Sequence, residues 1–105
     1  MTLYHVETFA IDTNTGKRKF LAHQFIIDAD SIDALRSKLA RHMCPTVVAD
    51  IYVPSKSKGH TIIVRLGGTM YLDKKLQMWR WKGYDIKGNA TTNGIVQQNG
   101  SVRKD

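Results

Sequence analysis

Two groups of residues in this chain have the types and spacing to do chemistry. The first is His5, Glu7 and His23. Side chains alternate along an extended strand, so His5 and Glu7 share one face. Two registers of the hairpin that follows would set His23 across from His5 or across from Glu7. Either assembles a His–Glu–His cluster able to hold a metal or to run acid–base chemistry on a phosphodiester. The plainer reading is a polar sheet face with one cross-strand pair.

The second group lies in 76–89, LQMWRWKGYDIKGN. It holds both tryptophans of the chain, Trp79 and Trp81, with Arg80 between them and Lys82, Tyr84 and Lys87 beyond. Aromatic faces accept stacked bases, and flanking Lys and Arg neutralise phosphates. The same composition marks hot spots of protein interfaces. As a strand, the segment puts Trp79 and Trp81 on one face with Gln77 and Lys75. Leu76, Met78, Arg80, Lys82, Tyr84 and Ile86 fall on the other. Neither face is uniformly apolar, so three outcomes are open. The tryptophans face the core and leave an exposed apolar–basic strip. Or Leu76 and Met78 face the core and the tryptophans are exposed. Or both faces are covered and no site remains. The expectation adopted is that at least one tryptophan packs in the core, with basic neighbours reaching out from its edge.

Enzyme signatures are absent. No Gly-x-Ser-x-Gly motif and no phosphate-cradling glycine loop occurs, and Gly67-Gly68 lacks the rest of such a pattern. Cys44 falls at the C-terminal end of an expected helix, where the negative end of the dipole raises a thiol pKa. His42 and Cys44 have no partner pair at zinc-finger spacing, so no metal and no cofactor is expected. The acids read as cap and turn residues. With one cysteine no internal disulfide can form, which is consistent with a reducing, cytoplasmic home. No apolar run reaches the length of a membrane helix, and 3–11 is broken by His5 and Glu7, which argues against a signal peptide.

Charge points to partners. The chain of 105 residues carries 16 Lys and Arg against 9 Asp and Glu, a net +7. Through Asp50, basic and acidic residues balance. From Ile51 onward the bases Lys56, Lys58, Arg65, Lys74, Lys75, Arg80, Lys82, Lys87, Arg103 and Lys104 face three acids, so the whole excess lies in that half. Such polarity suits nucleic acid or an acidic protein, although basic charge also serves solubility.

The elements that must position these groups follow from local pattern. Segments 3–11 and 19–27 read as strands joined by the turn cluster 12–16. Ile32, Leu35, Leu39 and Met43 form the stripe of an amphipathic helix over 31–44. Asp30 or Ser31 caps its start, Asp33 suits its first turn, Arg41 and His42 suit its last, and Pro45 stops it. Segments 46–53, 61–66, 69–73 and 76–82 return to strand, with Gly67-Gly68 a turn or bulge between two of them. After Gly83, glycine turns bracket a short strand pair at Ile95-Val96 and Val102, and 101–105 is expected to fray. The whole is one α+β domain over 1–105. It is expected to be an antiparallel twisted sheet of five or six strands, order β-β-α-β-β-β-β, with the helix on one face.

The reading preferred is a non-catalytic basic module that binds nucleic acid through Tyr71, Lys74, Lys75, Trp79, Arg80, Trp81, Lys82, Tyr84 and Lys87, with the loop lysines Lys56 and Lys58. The alternative is a protein-interaction module, a small regulator or inhibitor docking on an acidic or nucleic-acid-binding partner, in the manner of accessory proteins of mobile elements. A third is a small histidine- or metal-dependent nuclease built on His5, Glu7 and His23. No base-reading motif, no membrane contact and no small-molecule cofactor is indicated.

Overall fold

The computed structural model describes residues 2–56 and 62–104. Seven strands and a helix follow in the order β1 (Thr2–Ile11), β2 (Arg18–Ala29), α1 (Ile32–His42), β3 (Val47–Lys56), β4 (Ile62–Asp73), β5 (Met78–Tyr84), β6 (Ala90–Val96) and β7 (Val102–Lys104). All strands join one antiparallel sheet in the spatial order β2-β1-β3-β4-β5-β6-β7. The α+β class and the helix on one face are as expected, and the sheet is slightly larger. The difference comes from the tail: Val102–Lys104 does not fray but pairs with β6, Val96 opposite Val102.

The helix forms where its stripe and caps place it. Ser31 accepts a hydrogen bond from the Ala34 amide at 3.1 Å, satisfying one of the orphan donors of the first turn. Leu35 and Leu39 are buried, and Asp33 and the Arg41–His42 pair sit at the helix ends whose dipole they complement. Unexpectedly, Arg36 and Ser37 are buried too.

The helix touches both β2 and β6. These strands are five places apart, about 24 Å in a flat sheet at ~4.8 Å per strand, so the helix, ~16 Å long, lies across one face of the sheet. The sheet thus has an inner face that holds α1 and an outer face that does not. The core is the inner face: Tyr4, Val6, Ala29, Ala49, Ile51, Met70, Trp81 and Val96 meet Leu35 and Leu39. Registers keep these residues aligned, Val6 with Ile51, Ala49 with Met70, and Met70 with Trp81.

Turn chemistry sets the hairpin ends. Asp12 Oδ1 accepts from the amides of Asn14 and Thr15, and Gly16 takes φ +74° to close the first turn. Asp73 does the same for Lys75 and Leu76. That turn holds Gln77 at φ 55°, so β5 begins at Met78 rather than Leu76. Gly67 is the extra residue of a bulge inside β4, where Ile51 pairs with Gly68 and Tyr52 with Leu66.

Candidate binding surface

The first of the three outcomes for β5 holds in part: the tryptophans turn to the core, and on the other face Met78 and Lys82 are exposed while the Arg80 side chain is only 15% exposed. Trp81 is 3% exposed and faces inward, and Trp79 packs beside it at the margin of the core. Two glycines make the slot for the indole. A Cβ on Gly68 would lie 2.1 Å from Trp81 Cζ2, and one on Gly83 would lie 2.8 Å from its Nε1. Arg36 covers the ring from the helix side, its guanidinium 4.8 Å from the centroid. In a desolvated setting such a cation–π contact contributes about 2 kcal/mol.

Arg36 also fastens the end of the sheet. Its Nε donates to the Gly100 carbonyl at 2.7 Å, it pairs with Asp33, and Ser37 Oγ donates to the Gln98 carbonyl at 2.8 Å. The 97–101 turn between β6 and β7 is thus docked on the helix. Burial pulls the Arg36 pKa down, and Asp33 opposes the shift. Trp81 is accordingly a structural residue, not a stacking platform.

The outer face carries what remains of the candidate set. Alternation and register put Met78, Arg80, Lys82 and Tyr84 of β5 outward, alternate residues spaced ~7 Å along the strand. Tyr71 of β4 lies directly opposite Arg80, and Thr69 opposite Lys82. Arg80 pairs with Asp73 at 3.7 Å. The Lys82 ammonium stands 5.9 Å from the Tyr84 ring. Across β6 and β7, Ile95 aligns with both Arg80 and Arg103. Tyr71, Arg80, Lys82 and Tyr84 therefore share one surface. Lys74 and Lys75 lie at the Met78 end of β5, where Lys74 donates to the Thr13 carbonyl and Lys75 is exposed. Lys87 is exposed in the turn beyond Tyr84, at the opposite end of the strand about 20 Å away. Lys56 ends β3 with its side chain outside the described residues, and Lys58 lies outside them altogether.

Two features of this face were not read from sequence. Arg18 spans from the edge strand to β3. Its NH1 and NH2 donate to the two Asp50 carboxylate oxygens at 2.6 and 2.8 Å, while its guanidinium sits 4.6 Å over Phe9. Thr69 Oγ1 donates to the same carboxylate at 2.7 Å, so one buried acid ties β2, β3 and β4 together. The hydrogen bond to Asp50 raises the Arg18 pKa. Beside this network, His5, Glu7, Gln24 and Tyr52 line a recess of about 230 Å³. Gln24 Nε2 donates to Glu7 Oε2 at 2.7 Å, and the Tyr52 ring meets His5 edge-on at 5.9 Å. Burial, with the nearby Glu7 carboxylate, pushes the Tyr52 hydroxyl up to about 12.

The His–Glu–His cluster does not assemble. Thr8 lies opposite His23, whereas Glu7 is opposite Gln24 and His5 opposite Ile26. His23 therefore points to the inner side, where it lines a cleft with Thr8, Phe25, Leu39, His42 and Cys44. Among the described residues no group of three or more His, Cys, Asp or Glu is placed to hold a metal ion. Nor is any helix among them long and apolar enough to cross a membrane. Comparison with protein-family models, with curated proteins and with solved structures returned no match.

Proposed function

We propose that this protein is a non-catalytic nucleic-acid-binding module whose contact surface is the outer face of the sheet around β4 and β5. The observation that carries the reading is the juxtaposition of Tyr71, Arg80, Lys82 and Tyr84 on the face away from the helix. The tyrosines supply ring faces for bases, and the cations answer phosphates. Arg103 on β7 and Lys75 and Lys87 at the two ends of β5 extend the positive field. Trp79 and Trp81 leave the contact set and support it from beneath. A cytoplasmic location is part of this proposal and accords with the single, exposed thiol of Cys44.

A second reading has its own observation. Leu76, Met78 and Ile86 are exposed beside these cations, the composition of a protein-interface hot spot, and fit docking on an acidic partner protein.

The test is fluorescence anisotropy with labelled single-stranded DNA, duplex DNA and RNA at several salt concentrations. Binding should weaken steeply with salt, and Arg80→Ala with Lys82→Ala should lower the log–log slope on single strands by about 1.4. Tyr84→Ala should cost about 1–3 kcal/mol if one base stacks there. Absence of binding at low salt refutes the nucleic-acid reading and leaves the protein partner.

A further inference from the structure

The sheet ends in two unlike edges. β7 is three residues long and carries Arg103 and Lys104, a short charged edge of the kind that resists further pairing. β2 is 12 residues long, and among the described residues no strand pairs with its outer side. Four large apolar side chains are among those it exposes. Phe20 is 62% and Ile26 67% exposed, Leu21 and Phe25 are partly so, and Leu3 on the adjoining β1 is exposed as well.

These side chains lie on both faces. Phe20 and Phe25 align with Ala10 and Val6 on the inner side, while Leu21, Ile26 and Leu3 share the outer side with Phe9 and His5. A helix or sheet laid on one face would leave the other wet. A strand added in the plane of the sheet covers both at once and satisfies the outward backbone groups. Two bulges, at Ala22 and Lys19, confine regular geometry to residues 23–29, whose midpoint is Ile26.

We propose that two copies of this chain associate by antiparallel pairing of β2 with β2 about a two-fold axis through Ile26, making one continuous sheet. In that register Ile26 meets Ile26, Phe25 meets Ile27, Gln24 meets Asp28 and His23 meets Ala29. Each pair matches in face; Ile26 and Phe25 meet apolar partners and Gln24 meets a polar one, while His23 meets the small Ala29. The antiparallel sense also directs the acidic end of each strand, Asp28 and Asp30, toward the Lys19 end of the other. A parallel pairing would stack acid on acid.

Light scattering and sedimentation at tens of micromolar test the proposal. The mass should be twice the 11.9 kDa of the chain. Ile26→Lys sets like charges across the axis on an exposed site, so the fold should persist by circular dichroism while dimer affinity falls about tenfold or more. Ile26→Cys in a Cys44→Ser background should oxidise to a linked dimer, because facing Cα atoms at ~4.5–5.5 Å suit a disulfide. A monomer across the concentration range, a dimer indifferent to Ile26→Lys, or no cross-link would each overturn the proposal. Two chains of net +7 repel, so salt should strengthen the dimer while weakening nucleic-acid binding; either reading can fail without the other.

Discussion

Substituting Gly68 by Ala probes the contact on which the core turns. Gly68 has no positive φ, so alanine is allowed by the backbone and would ordinarily stabilise by about 0.4–1 kcal/mol through the unfolded chain. The tertiary structure demands the opposite sign. The added methyl would stand 2.1, 2.3 and 2.6 Å from three atoms of the Trp81 indole, where 3.4 Å is the near limit of ordinary contact. The ring must move by more than about 1 Å, and Met70, Arg36 and Gly83 hem it in. Local overpacking costs about 1–3 kcal/mol. Full expulsion of the indole would forfeit about 4–6 kcal/mol, from ~150–250 Å² at ~25 cal/mol/Å². An outcome of about 3–4 kcal/mol lies between these bounds and is a large share of the roughly 5–15 kcal/mol that holds a domain of this size. Urea unfolding by far-ultraviolet circular dichroism measures it. The decisive comparison is a double-mutant cycle with Trp81→Leu, itself costly by roughly 3 kcal/mol. In that background the Gly68 methyl has room, and its cost should drop below about 1 kcal/mol. Equal costs of Gly68→Ala in both backgrounds would refute the slot.

Two further perturbations follow from the structure. Tyr52, pushed up to about 12 from near 10, is held neutral by the fold, so its stability contribution is complete below pH 10 and is lost as pH rises toward 12. Unfolding free energies from urea titrations should shift against wild type relative to Tyr52→Phe across that window by on the order of 1 kcal/mol, reduced by the partial exposure of the ring; parallel curves would contradict the assignment. Arg36→Met keeps an apolar stem over Trp81 but abandons the Gly100 carbonyl, and should cost about 2–4 kcal/mol. Hydrogen exchange should then show faster opening of the 97–101 turn and of β7, with the β1–β3 pairing little changed.

Much of the local structure was legible in the chain. Ser31, the leucine stripe and Pro45 announce the helix because caps and periodicity act within a few residues. Asp12 and Gly16 announce the first turn for the same reason. The candidate surface was legible only in part: Tyr71, Arg80, Lys82 and Tyr84 do share a face, but composition gave no means to tell that Trp81 lies beneath it. The Arg18–Asp50–Thr69 network joins three strands far apart in sequence, and no local pattern encodes it.

What the sequence determined by itself is the set of elements and their turns, fixed by backbone preference and short-range hydrogen bonds. What the tertiary structure decided is register and side. A one-residue slip of a strand turns every side chain to the other face, and register is settled by distant partners. Bulges at Ala22 and Lys19 shape the pairing of β2 with β1, and that register sends His23 inward, away from His5 and Glu7. The glycine slot of Gly68 and Gly83 and the lid of Arg36 send Trp81 inward as well, which leaves Arg80 and Lys82 on the face turned away from the helix.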